Sequence, residues 1–161
     1  MAREFLIRRA APDDADAIRE VLQQAFAPYR ASYTADAYTD TTLTSETVRE
    51  RLASMAVLVA ADNAGQVIGT IAYQAVAGGE AHVRGMAVRP EWHGSGVAKE
   101  LLAQVEREVR ELHCTAITLD TTRPLERAVR FYETHGFRAT GEVSSFFGMD
   151  LFTYRKEIVI L

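Results

Sequence analysis

A single cysteine, Cys114, stands in a chain of 161 residues. No disulfide can form within it, and a reducing compartment, the cytoplasm, is the natural setting for such a sequence. The thiol precedes an apolar strand-like run and is expected to be a small buried side chain. Four histidines, His82, His93, His113 and His135, are scattered without the spacing of a metal site, so no metal is expected. Positive charge is also scarce: 18 Lys and Arg face 22 Asp and Glu, for a net charge of −4. That balance argues against nucleic acid or an anionic membrane as partner, so any bound anion must be held locally. No apolar run approaches the roughly 18 residues of a membrane span, and MAREFLIRR lacks a signal-peptide core. What is present, 48% apolar and 25% charged residues, suits one globular domain over residues 1–161. There is no repeat, linker or low-complexity segment.

FLIR (5–8) predicts a short strand, ended by APDD. Asp13 or Asp14 then caps an amphipathic helix carrying Ala17, Ile18, Val21, Leu22, Ala25 and Phe26, which Pro28 ends. Residues 29–44 are polar, hold Tyr29, Tyr33 and Tyr38 in no clean period, and predict a loop with at most a short helix. SETVRERLASM (45–55) predicts a second helix. The period then changes: VLVAA, the turn DNAGQ and VIGTIAYQAV read as an antiparallel hairpin, and AGG leads into EAHVRGMAV (80–88). Alternation places Glu80, His82, Arg84, Met86 and Val88 on one face of that strand, with Ala81, Val83, Gly85 and Ala87 on the other. Gly85 packs nothing, which suggests a bulge or a backbone that something approaches closely.

Val97, Leu101, Val105 and Val109 recur every fourth residue and define a long helix. TAITLDT (115–121) reads as a strand, and LERAVRFYETH (125–135) as a helix stopped by Gly136. FRATGEV (137–143) and MDLFTYRKEIVIL (149–161) are the last strands, linked across SSFFG. The order β-α-α-β-β-β-α-β-α-β-β predicts a mixed α/β (α+β) fold, a central sheet of about seven strands flanked by four helices.

HGSGVA (93–98) needs a reason, because Gly94 and Gly96 open the long helix and glycine inside a helix costs about 1 kcal/mol relative to alanine. A strand running into a glycine turn and a helix is an anion site. The first helical N–H groups have no acceptor within the helix, and the macrodipole adds about half a positive charge. Glycines let a phosphate reach that backbone without meeting a Cβ. A P-loop would need Gly-Lys-Ser/Thr after four intervening residues, which GSGVAKE does not supply. A dinucleotide fingerprint fits better, with Asp120 as its ribose-binding acid. Lys99, however, falls where a third small residue belongs, and an antiparallel hairpin precedes the motif. The third candidate is acetyl-coenzyme A.

For that candidate the sequence resembles a family. GMAVRPEWHGSGVAKELL is similar to the acyl-coenzyme A signature of the GNAT N-acetyltransferase superfamily, Arg/Gln-x-x-Gly-x-Gly/Ala after an apolar strand end. RAVRFYETHGF (127–137) resembles its second signature, Asn-x-x-Ala-x-x-x-Tyr-Glu-x-x-Gly-Phe. The similarity in element order covers nearly the whole chain, including FLIRRAAPDDADAI and Gly69 in the third strand. Two positions depart: Trp92 or His93 stands at the Arg/Gln position, and Leu125 at that of the Asn.

The resemblance implies an acetyl-coenzyme A-dependent N-acetyltransferase whose acceptor is a primary amine of a small molecule or peptide. The alternative is a non-catalytic acyl-coenzyme A sensor with the same fold; a monomer and a homodimer are both compatible. It implies a diphosphate held by His93, Gly94, Ser95, Gly96, Val97 and Ala98, with Lys99 adding charge. Backbone groups of Met86, Ala87 and Val88 would meet the pantetheine and the thioester oxygen, and Tyr132 would stand beside the sulfur. His82 occupies a position from which some members aim a base at the amine, and its ordinary pKa of about 6.5 suits that task. Glu80 is the second candidate base. Arg84 would orient an acidic acceptor, and Tyr33, Tyr38, Phe146 and Phe147 would form an aromatic acceptor wall.

Overall fold

The computed structural model describes residues 4–159. One seven-stranded sheet runs in the order β1-β2-β3-β4-β5-β7-β6. Its strands are β1 (Phe5–Arg9), β2 (Ala56–Asp62), β3 (Val67–Val76), β4 (Glu80–Val88), β5 (Ala116–Thr121), β6 (Arg138–Phe146) and β7 (Met149–Glu157). Five helices accompany it: α1 (Ala15–Phe26), α2 (Ala35–Thr42), α3 (Ser45–Ser54), α4 (Val97–Glu111) and α5 (Glu126–Thr134). Among the described residues β4 and β5 are the parallel pair, and the other neighbours are antiparallel.

Alternation along β2 separates two cores. Leu58 and Ala60 pack with Val97, Leu101, Val105 and Val109 of α4 and with Tyr132 of α5. Val57 and Val59 pack with Ile18, Val21 and Leu22 of α1 and Val48 of α3. The every-fourth-residue stripe of α4 is the face it lays on the sheet. Fully burying each such Val or Leu stabilises by about 1.5–3 kcal/mol, which fixes both helix layers.

Five local expectations change. The segment 29–44 contains a true helix, α2, so the sheet has five helices about it and not four. Thr34 caps α2 by accepting from the Ala37 N–H at 3.2 Å, and Ala37 is fully buried. Asp14 occupies the N-cap of α1 without bonding its first turn; both its oxygens go to Arg8, at 2.7 and 2.9 Å. β6 continues through Ser144 and Ser145, leaving Phe147 and Gly148 as a two-residue turn with φ of 49° and 85°. Positive φ at both positions is what a tight hairpin with right-twisted strands demands. The predicted last strand ends at Glu157, and residues 160 and 161 lie outside the described residues.

The fifth change concerns β4. Its register with β3 shifts between Thr70↔Ala87 and Ala72↔Arg84, so Gly85 and Met86 together oppose Ile71. Gly85 adopts φ of 63°. The extra residue flips the alternation: Ala81, Val83, Met86 and Val88 share the α4 side, while Ala87 joins the α1 core.

Gly69 of β3 lies directly beneath the start of α4. A Cβ there would stand 2.8 Å from Val97 Cγ1 and 3.2 Å from Leu101 Cδ1. Its absence lets α4 seat closely on the sheet. Gly69→Ala is therefore expected to destabilise by about 1–3 kcal/mol, as overpacking does, and to lower the thermal midpoint by several degrees. An unchanged melting curve would mean that α4 is not held at this distance.

Candidate functional site

β4 pairs with β5 only over Glu80–Val83, opposite Ala116–Leu119. Beyond Val83 the strands part. The gap opens at the carboxyl ends of two parallel strands, where open α/β sheets form crevices. It is a cavity of about 610 Å³, walled by β4, the ends of β5, α1 and α5, and the start of α4.

The glycine turn forms one end. Gly94 and Gly96 have φ of 76° and 91°, and a Cβ added to either would meet no atom within 4 Å. The first rung of α4 runs from the Glu100 N–H to the Gly96 carbonyl at 3.0 Å. The N–H groups of Val97, Ala98 and Lys99 precede that ladder, at the positive end of a 15-residue helix. Gly94, Gly96, Val97, Ala98, Lys99 and His93 all line the cavity, whereas Ser95 does not; its hydroxyl bonds the Trp92 carbonyl. His93 is no cation here. Burial first, and then the charge of Arg127, hold its pKa below the ordinary value. Arg127, exposed in the first turn of α5, also lines the cavity and stands where the sequence reading found no strong cation. Leu125 borders the same region.

Met86, Ala87 and Val88 form the middle of the wall, with Tyr132 opposite. Tyr132 is 8% exposed and packs edge-on against Phe131 and Phe137, each with ring centroids 5.7 Å away. Burial pushes its phenol pKa far up, so it keeps its proton at neutral pH. Thr121 is 4% exposed, and its hydroxyl is buried with no partner within the described residues although the residue lines the cavity. Such an oxygen calls for a ligand or a water.

The far end carries the charges. His82 Nε2 stands 3.3 Å from Asp120 Oδ2, and Nδ1 is 2.8 Å from Thr118 Oγ1. Asp120 also accepts from the Thr153 hydroxyl at 2.8 Å. The His82 hydrogen bond, more than burial opposes it, holds the Asp120 carboxyl below its ordinary range. Arg84 lies 3.7 Å from Asp40, and Arg51 reaches in from α3. The Tyr33 hydroxyl is 2.7 Å from that of Thr122, and burial raises the Tyr33 pKa.

The structure brings His82, Arg84, Tyr33 and Phe146 to the cavity and leaves other candidates outside it. Glu80 is ion-paired with Arg155 at the start of β4, because it precedes the parting of the strands. Tyr38 packs behind Tyr33 with centroids 6.4 Å apart, and Phe147 sits at the hairpin tip, 53% exposed. Sequence reasoning missed Asp40, Arg51, Thr121 and Arg127 as lining residues. It weighed Asp120 only as a ribose acid. Their signals are ordinary surface-type residues in helices and at a strand end, which no local pattern singles out.

Residues 15–137 match the model of the acetyltransferase (GNAT) family. No curated protein matches the sequence. Among solved structures the chain is similar to PaiA N-acetyltransferase from Thermoplasma acidophilum in complex with coenzyme A, at 19% identity and a TM-score of 0.80, over 96% of this chain and 99% of that one. It is similar to an acetyltransferase of the GNAT family from Staphylococcus aureus, at 20% identity and a TM-score of 0.80, over 97% and 100%. The ribosomal-protein-S18-alanine N-acetyltransferase from Escherichia coli matches at 17% identity and a TM-score of 0.78, over 98% and 96%. At these identities the likeness is one of fold.

Asp120 yields a pH prediction. A carboxyl whose folded pKa is depressed contributes stability above its unfolded pKa of about 3.9, and loses it as pH falls through the lower folded value. Urea unfolding at pH 5 and pH 3 is expected to show a smaller acid-induced loss in Asp120→Asn than in the wild type. Equal losses would mean that Asp120 has no favoured ionised state in the fold.

Proposed function

Because the chain belongs to the acetyltransferase (GNAT) family, we propose that it is an acetyl-coenzyme A-dependent N-acetyltransferase acting on a primary amine of a small molecule or peptide. The observation that carries this reading is one continuous cavity. It joins the open glycine turn to the His82–Asp120 pair past the buried phenol of Tyr132. The residues fit the coenzyme. The glycine cradle at Gly94 and Gly96, the N–H groups of Val97 to Lys99 and the charges of Lys99 and Arg127 would hold its diphosphate. The unpartnered Thr121 hydroxyl and the β4 backbone from Met86 to Val88 would border its pantetheine arm. When bound, it supplies an acetyl thioester, whose carbonyl carbon is the electrophile.

The chain's own groups manage the protons. An amine with a pKa of about 10.4 enters as an ammonium and must lose a proton before it can attack. An ionised Asp120 only accepts, so His82 presents its Nε2–H to it and keeps the Nδ1 lone pair, which takes the Thr118 hydroxyl proton as a hydrogen bond. His82 takes up a proton at Nδ1, through water, when that hydroxyl rotates from donor to acceptor. Asp120 then stabilises the imidazolium at Nε2. Tyr132 holds its proton on the phenol oxygen and would give it to a departing thiolate. Apolar walls from Val88, Phe131 and Leu151 limit water at that point.

The second reading is an acyl-coenzyme A sensor, favoured by Leu125 where the family signature has an amide and by the neutral His93. For the compartment we take the cytoplasm, on the single buried Cys114.

Acetyl-coenzyme A is expected to raise the thermal midpoint, and Gly96→Val to abolish that rise. Thiol release with an amine panel should fall about 100-fold in kcat for Tyr132→Phe and for His82→Ala, the range of lost proton transfer. A midpoint rise without turnover on any amine establishes the sensor. No rise at all overturns both readings.

A further inference from the structure

Arg51 has no structural task that its surroundings explain. Its guanidinium lies against the bulge of β4, so close to Gly85 that a Cβ there would overlap it. The bulge glycine thus serves two ends, the extra residue in β4 and a berth for this side chain. Arg51 lines the cavity, yet among the described residues its guanidinium makes no hydrogen bond, and Asp40 attracts it only from beyond ion-pair contact. A structural arginine in this same fold looks different. Arg89, 3% exposed, donates from Nε to the Val67 carbonyl at 2.8 Å and from Nη1 to Gln24 at 2.9 Å, with Glu20 at 3.4 Å.

Arg84 lies near Arg51, with the Asp40 carboxylate 3.7 Å from Arg84 and Asp120 within reach of Arg84's charge. Burial first, and Arg84's charge second, pull the Arg51 pKa down to about 10, against the opposing pull of Asp40. Arg51 is still a cation at neutral pH. Two cations therefore stand together on a cavity wall. An anion entering the cavity would give the Arg51 guanidinium the charge-assisted hydrogen bonds that the chain's own groups do not supply. On the same β4 strand, His82 and Arg84 are two residues apart, about 7 Å, so the positive pole stands next to the Asp120 carboxylate.

We infer that the acceptor is a small amine that carries its own oxyanion, a carboxylate as in a free amino acid: Arg51 and Arg84 hold the anion while Asp120 faces the ammonium. This rests on the transferase reading of the cavity. A small acceptor suits the walls, because the segment before α2 is tied to the β6–β7 hairpin across this end: the Thr34 hydroxyl donates to the Phe147 carbonyl at 2.8 Å. Planar guanidinium matches a carboxylate with two parallel hydrogen bonds, which an ammonium side chain does not reproduce.

The test uses the full chain, acetyl-coenzyme A and three matched series: free L-amino acids, their α-amides, and the corresponding aminophosphonates. The wild type is expected to favour an acid over its amide at least tenfold in kcat/KM, and Arg51→Gln to collapse that ratio toward one, mainly through KM. Arg51→Lys should recover only part of it. An aminophosphonate preferred over the acid would assign the pair to a phosphonate or phosphate, a different oxyanion at the same site. Equal use of acids and amides by the wild type overturns the inference. So does a loss of coenzyme A affinity in Arg51→Gln with the acid-to-amide ratio unchanged, since Arg51 would then serve the coenzyme. If nothing turns over although coenzyme A binds, the transferase reading fails. Thermal midpoints with coenzyme A then decide the anion site: acids, and not amides, must raise that of the wild type, and this rise must vanish in Arg51→Gln.

Discussion

The parting of β4 from β5 after Val83 is the constraint on which the site depends. A bulge bends its strand and increases the local twist, so a strand bonded on the other edge cannot follow it. β4 keeps its bonds to β3 through Val88 while β5 runs on to Thr121. The wedge between them stays open as one cavity. Below it, Gly69 brings α4 down onto the sheet, so the open turn at Gly94 and Gly96 reaches one end of the wedge. Small residues at three places thus decide where backbone and cavity meet.

Electrostatics divide the cavity into two ends. At the α4 start the positive charge is mostly backbone, with Lys99 and Arg127 at its margin and His93 kept neutral. At the opposite end the charges belong to side chains of α2, α3, β4 and β5: Asp40, Arg51, Arg84, His82 and Asp120. The apolar middle, with Tyr132 and Val88, separates the two polar ends. Elsewhere in the chain buried charge is satisfied internally, as Arg89 illustrates.

Much of this was legible locally. The hairpin of β2 and β3, the stripe of α4 and the glycines of HGSGVA are patterns within two dozen residues, and the fold places them as read. Gly85 was marked as a bulge or a close approach, and it is both. The polar tyrosine-bearing stretch before α3 concealed α2, because its stability comes from the Thr34 cap and the burial of Ala37 rather than from an apolar period. The assumed strict alternation of β4 failed after Arg84, since one inserted residue reverses every later side chain.

The sequence by itself determined the periods, the helix starts and the backbone freedom at a few glycines, for these depend on neighbours along the chain. Tertiary structure alone decided which charges meet. Asp120 finds His82 because the β4–β5 register pairs His82 with Thr118, two residues before Asp120 on the same strand face, and Glu80 is lost to Arg155 by the position of β7. Arg51 reaches Gly85 from α3, a helix distant in sequence from β4. Coulomb forces act through space, and the distances that govern them are set by sheet register and helix packing, which no short stretch of sequence contains.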